Sequence, residues 1–501
     1  MSKKLVKNIS SNLINQVITA GLGIVFIPIY VNLLGVSNFG IISLFTVILA
    51  WSGLIEFGFP YVVSRYASLF KAKKKSAADF VALFKTIERA FLILTIVLMI
   101  GISLVLYFPP IHRLIIDSNI TEYTLLAVVA ISLMRVMESI YRHLMVGLEE
   151  FNQLNTLQIL MQVVRYGGTF LCLYYVESTI HIFFMWQFLA SAISLISFSI
   201  LAKIKIPKVF DRTPIRFNLI KSNISFAGHM AIVSISSMIS IHVDKIILIS
   251  VGSTYQLGLF MIAATLSNSI YMLMAPVQSA LTPRLLNLYE KDDITSFNSL
   301  LLKVTTISSA IIFSISSAIF FNSYDILHIW IGDIDIANKL DLVLAVLFLS
   351  SSVGTILSLL DTALVAAGVP RISSISNMAS LVLLTIMLYI TIPLYGLHGI
   401  AYSWLIIQLM FFLIIPPLVF NVLRVKIYWR WFFTVIKYFV ITFSIGFFIN
   451  WILVLNAHKI LLIFIHITIP IFISFALMKT EGINVLNFLS PKKGILKDEL
   501  Y

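Results

Sequence analysis

Charge is what this chain has least of. Asp, Glu, Lys and Arg make up only 11% of its 501 residues, whereas a soluble domain of ordinary composition carries about 25%. A soluble fold is excluded on that ground. Cysteine is almost absent as well: the lone Cys172 lies in an apolar run, which excludes an internal disulfide, and no Cys–His cluster points to a metal site. Long polar stretches are also missing. The longest polar connection, about 203–223, is too short to be a soluble catalytic domain, so neither an enzyme activity nor a cofactor is expected.

What the chain has in quantity is apolar surface. Hydrophobic residues make up 59% and mean hydropathy is +1.01, with runs of membrane length from one end to the other. These Ile/Leu/Phe runs do not alternate with period two as barrel strands would. The expected fold is an all-α polytopic membrane protein with spans at 9–34, 40–65, 80–108, 123–147, 155–176, 180–202, 224–251, 258–283, 297–321, 341–366, 373–394, 399–423, 433–455 and 458–479. The first run follows Lys3, Lys4 and Lys7 but is too long for a signal peptide and shows no convincing cleavage site, so it reads as a retained span.

The net charge of +13 does not imply nucleic acid, because its placement follows the positive-inside rule. With the N-terminus in the cytoplasm, only Arg113, Lys339 and Lys459 of the 35 basic residues fall on the opposite side, and Arg89, Arg135, Arg165 and Lys245 fall within spans. Both termini are then cytoplasmic. The halves also resemble each other: Gly35, Gly40, Arg65 and Gly147 are answered by Gly252, Gly258, Arg284 and Gly368 at nearly constant offset. The expected organisation is a six-helix bundle over 1–202, a basic linker at 203–223, a second bundle over 224–423 related by a parallel repeat, and two further helices with a tail over 424–501. The segments 109–122 and 322–340 read as opposite-side loops, the second acidic.

Ionisable residues inside spans are the natural site candidates: Glu56, Glu88, Arg89, Arg135, Glu138, Arg165, Asp244, Lys245 and Asp361. At about 2.5–3.5 kcal/mol each on insertion scales, nine of them facing lipid would cost on the order of 25 kcal/mol, so they must face one another or water. At about 1.5 Å per residue, Arg135, Arg165 and Glu56 lie near the bilayer midplane. Glu56 precedes the helix breakers Gly58 and Pro60, which makes it a functional candidate in a broken helix. Arg135 and Glu138 read either as a structural i,i+3 pair or as site residues. Arg165 has no partner one turn away and suits an anionic ligand. Asp244 and Lys245, as sequence neighbours, are expected to point apart and to need separate partners. His229 and His242 read as packing residues.

Several short motifs resemble one family. LGVSNFG at 34–40, EFGFPYVVSR at 56–65, GLEEFNQLN at 147–155, PVQSALTPRL at 276–285, AAGVPR at 366–371 and PLYGLHGIAYSW at 393–404 are similar, in order, to the turns and span ends of the polysaccharide (O-antigen) flippases, the Wzx type, of the multidrug/oligosaccharidyl-lipid/polysaccharide exporter superfamily. Glu56 stands where many relatives carry Asp. The resemblance implies alternating access that moves a polyprenyl-diphosphate-linked oligosaccharide between leaflets of the bacterial inner membrane. It implies Arg135, Arg165, Arg89 and Lys245 as substrate-binding candidates and Glu56, Glu138, Asp361 and Asp244 as ion-coupling candidates. Its expected partners are the lipid-linked substrate, membrane lipids, and glycan polymerase and chain-length machinery, with no nucleic acid. The alternatives are a multidrug exporter or lipid II flippase of the same superfamily and, more remotely, a membrane-embedded glycosyltransferase or polymerase.

Overall fold

A computed structural model describes residues 3–106, 122–207, 242–250, 252–369, 371–453 and 459–480, with isolated positions between 218 and 231. Every regular element among the described residues is helical. Among the described residues twelve helices are long and apolar enough to cross a membrane, so the chain is a polytopic membrane protein. Of the expected spans, 155–176 is present as a helix but is too polar to count among those twelve, and most of 224–251 lies outside the described residues.

The chain divides into two compact units, Met1–Gly258 and Leu259–Tyr501. The first contains α1 (Lys3–Leu34), α2 (Val36–Trp51), a 3-10 turn (Ser52–Glu56), α3 (Phe59–Lys71), α4 (Ala77–Leu106), α5 (Glu122–Gly147), α6 (Phe151–Tyr175) and α7 (Ile180–Lys205). The expected single span 40–65 is therefore two helices. Phe57 and Gly58 both adopt left-handed backbone, with φ of 45° and 72°, and Pro60 sits where a helix start tolerates a missing N–H. Gly58 is required twice over, because a Cβ there would also fall 2.1 Å from the carbonyl oxygen of Ala227.

The core of this unit is the face of α5 carrying Val136, Ile140 and Leu144, packed with Phe80, Leu83, Phe84 and Ile87 of α4 and Val62 and Val63 of α3. Gly147 lets the ends of α3 and α5 touch: Ser68 Oγ donates to its carbonyl at 3.1 Å. Ion pairs gather at this same end, Lys71–Glu149 at 2.8 Å, Lys203–Glu88 at 3.3 Å and Lys205–Glu150 at 3.7 Å.

α8 (Thr254–Glu290) runs into the second unit, which continues with α9 (Ile294–Ile331), α10 (Ile334–Ala366), α11 (Arg371–Tyr395), α12 (Leu397–Val422), α13 (Tyr428–Leu453) and α14 (Lys459–Thr480). The expected acidic loop 322–340 is not a loop. α9 kinks at Asn322, whose amide donates to the carbonyl of Ala318 at 2.7 Å, and then continues to Ile331. Gly332, at φ 82°, turns the chain, and Asp333 caps α10 by accepting from the backbone of Asp335 and Ile336. The acidic residues that look like loop composition are a cap and a helix start, where carboxylates favour the helix dipole. α13 and α14 flank α9: Ser317 Oγ donates to the carbonyl of Thr442 at 3.1 Å, and Lys459 pairs with Asp325 at 2.7 Å.

Candidate functional site: a cavity lined by three arginines

One face of α5 carries Arg135, Glu138, Ser139 and Arg142, the i, i+3, i+4, i+7 pattern that stacks side chains along a helix. α6 repeats it with Gln158, Met161, Gln162 and Arg165. Between these faces, with Asn15 and Thr19 of α1 and Ser194 and Phe198 of α7, lies a chamber of about 110 Å³. A second chamber of about 530 Å³ shares Arg135, Arg142 and Gln158 and is closed by Ser52, Gly53 and Glu56 of the helix break together with Ser139 and His143. The break at Phe57–Gly58 thus ends the 3-10 turn where Glu56 lines the second chamber.

Inside the first chamber Glu138 is buried, accepts a 2.7 Å hydrogen bond from Ser194 Oγ, and lies 3.9 Å from Arg142 Nη1. The expected Arg135–Glu138 pair is not formed; Arg142, four residues after Glu138, takes the carboxylate instead. The Gln158 carboxamide lies 2.7 Å from the Asn15 amide and 2.9 Å from Arg142 Nε, tying α1 to α5 through α6. Arg165 is 8% exposed. The Nε atoms of Arg135 and Arg165 are buried without a hydrogen-bond partner among the described residues. Buried donors of this kind are costly unless something completes them.

The frame around these groups is tied by hydrogen bonds where α6 meets α1 and α7. Asn155 Nδ2 donates to Asn12 Oδ1 at 2.6 Å and Ser11 Oγ at 3.0 Å, and Tyr30 OH donates to the carbonyl of Tyr166 at 3.0 Å. Gln187 Nε2 donates to Thr169 Oγ1 at 3.1 Å, and Thr169 in turn to the carbonyl of Arg165.

The other sequence candidates are placed elsewhere. Arg89 is exposed on α4 and lines neither chamber. Its neighbour Glu88 accepts from Tyr141 OH at 2.6 Å. Asp244 and Lys245 do not point apart: Lys245 Nζ curls back to Asp244 Oδ1 at 3.1 Å, and both are buried on the helical stretch 242–250. Asp361 belongs to the second unit, half-buried on α10. His229 lies outside the described residues. What remains together is three arginines facing two carboxylates, Glu56 and Glu138. The sequence reading missed Arg142, Gln158, Gln162 and Asn15. Arg142 was legible, since it stands seven residues from Arg135 and four from Glu138, but its nearness to the basic end of α5 assigned it to the membrane surface.

The first unit of this helical membrane fold encloses a charged chamber, and solved structures share the fold. Superposition relates 96% of the chain to the whole of a lipid II flippase, MurJ, in an inward closed conformation, at 15% identity and TM-score 0.70. A Vibrio cholerae MATE transporter matches over 87% of this chain and 96% of its own, at 12% identity and TM-score 0.55. A Pyrococcus furiosus transporter of the MOP superfamily, described as having a binding pocket of reverse polarity, matches over 84% and 97%, at 15% identity and TM-score 0.55. Comparison with curated proteins by sequence gave no significant match. The fold is that of the multidrug/oligosaccharidyl-lipid/polysaccharide exporters. Within it, residues 5–288 match the profile of the polysaccharide biosynthesis protein family, and the chain belongs to that family.

Proposed function

We propose that this protein flips a polyprenyl-diphosphate-linked oligosaccharide from the cytoplasmic to the periplasmic leaflet of a bacterial inner membrane, with both of its termini in the cytoplasm. The observation that carries the reading is the pair of unpartnered arginine donors in the α5–α6 chamber. A guanidinium offers a planar fork that fits phosphate oxygens bidentately. A diphosphate headgroup would complete Arg135 and Arg165 without requiring a change at Glu138, which Ser194 and Arg142 already hold. A cationic drug would meet three arginines, so multidrug export is disfavoured. Lipid II carries the same diphosphate and is the nearest alternative, distinguished only by its sugars. The six-helix bundles related by a parallel repeat remain the organisation we propose for alternating access. Glu56, in the second chamber, is the carboxylate we assign to ion coupling, and glycan polymerase and chain-length machinery are the partners that would receive the product.

Arg135→Gln and Arg165→Gln should each abolish surface-glycan assembly while the protein still reaches the membrane, with lipid-linked oligosaccharide accumulating on the cytoplasmic leaflet. Normal glycan in both variants would remove the anion site. Reconstitution with defined lipid-linked saccharides separates glycan repeat units from lipid II.

A further inference from the structure

Three helices stack the two chambers in the same order. On α1 the larger chamber takes Asn12 and the smaller takes Thr19, about 10 Å further along the helix at 1.5 Å per residue. On α6 the larger takes Leu154 and the smaller Arg165; on α5, which runs the other way, the smaller takes Glu138 and the larger Val146. In the orientation proposed above, α1 and α6 begin at the cytoplasmic side and α5 ends there. The larger chamber therefore lies on the cytoplasmic side of the arginines. Arg135, Arg142 and Gln158 border both chambers, so what stands between them is side chains.

The two also differ in chemistry. The smaller, about 110 Å³, offers guanidinium donors, whereas the larger, about 530 Å³, mixes donors with acceptors. Asn12 Oδ1 accepts from Asn155 Nδ2 at 2.6 Å, which leaves the amide N–H groups of Asn12 unspent among the described residues. His143 Nδ1 lies 2.9 Å from the carbonyl oxygen of Ser139, which can only accept. Nδ1 is thus the donor there, and Nε2 is left without a partner among the described residues. The Tyr61 ring, edge-on at 4.8 Å, fixes the imidazole. Phe151 adds a flat apolar face, and Glu56 a carboxylate. A second phosphate group would gain little from such a lining. A ring whose hydroxyls each donate and accept, and whose C–H faces are apolar, matches it.

We propose that the larger chamber holds the sugar joined directly to the diphosphate, with Asn12 and His143 reading its hydroxyls while Arg135 and Arg165 hold the phosphates. The inference rests on the substrate and orientation proposed above. A lipid-linked saccharide in the cytoplasmic leaflet has its hydrocarbon deepest, its diphosphate next and its sugar towards the cytosol, and the chambers repeat the last two in that order. The test measures equilibrium binding to the full chain in phosphatidylethanolamine nanodiscs. The ligands are undecaprenyl diphosphate alone and the same lipid bearing glucose, galactose or N-acetylglucosamine. Charge alone would favour the bare lipid, whose terminal phosphate is the more negative. The parent should instead bind at least one glycosylated lipid about tenfold tighter than the bare one. His143→Phe, which keeps a ring but loses both nitrogens, and Asn12→Ala should each shrink that preference, whereas Arg165→Gln should weaken every ligand. No preference in the parent, or a preference that survives in both His143→Phe and Asn12→Ala, overturns the sugar chamber; weaker binding in Arg165→Gln then leaves the anion site standing. Unchanged binding of every ligand in Arg165→Gln removes the anion site and this proposal with it.

Discussion

Arg142 Nη1 lies 3.9 Å from Glu138 Oε1, one turn apart on the face of α5 that looks into the chamber. The pairing leaves Arg135 and Arg165 as the unspent cations of the site, and it makes Arg142, together with Ser194, the residue that holds the carboxylate of the first chamber. Arg142→Gln is expected to lower transport tenfold or more, because Glu138 then becomes free to neutralise Arg135. Arg142→Lys should retain part of the activity, since an ammonium keeps the charge but loses the contact of the guanidinium with Gln158. Transport of lipid-linked oligosaccharide into sealed vesicles measures both.

Glu56 closes the wall of the larger chamber at the end of the 3-10 turn. Glu56→Gln should lose transport and Glu56→Asp should keep much of it, if the ionisable carboxyl rather than its shape is needed. Full activity in Glu56→Gln, measured as glycan export in cells, would end the coupling role.

Gly168 has no room for a side chain against Trp186. Gly168→Val forces the indole or the helix to move, an overpacking that costs about 1–3 kcal/mol. The thermal midpoint of the purified protein should fall, and adding Trp186→Ala should recover part of the loss. Additive losses in the double variant would show that the two sites do not meet.

Asp293 accepts a hydrogen bond from the backbone amide of Ser296 at 3.0 Å and caps α9 outside the membrane. That amide holds its carboxyl below the ordinary value of 3.8. A depressed folded-state value means the cap contributes above the unfolded value and is lost as pH falls through the folded one. Asp293→Ala should therefore lower the midpoint of thermal unfolding at neutral pH, and the gap should close in acid as the native carboxyl is protonated. Asp293→Asn, which keeps an acceptor, should stay near the parent at neutral pH.

How much of this was written in the sequence depends on which physical signal each feature leaves. The helix break was legible, because a glycine and a proline two residues apart both weaken a helix at one point, Gly58 by its backbone freedom and Pro60 by its missing N–H. Twelve of the fourteen expected spans were legible from hydropathy. The 322–340 segment was misread because Asp and Asn at a kink and a cap have the composition of a loop. Asp244 and Lys245 were misread because direction along a helix was judged from the backbone, whereas four methylenes let an ammonium return to its neighbour. Gln158 was missed because its partners are decided by the facing helices α1 and α5, which the spacing within α6 does not reveal.

The 3-10 turn at Ser52–Glu56 has a consequence for solvent. A bilayer-spanning helix normally hides its amides from water for hours. Here the peptide groups around Phe57 follow a break in the regular ladder, and Ser52, Gly53 and Glu56 border an open chamber. Deuterium should therefore enter the chain at this point, far from either membrane surface, as an island of fast exchange between the slow stretches of α2 and α3.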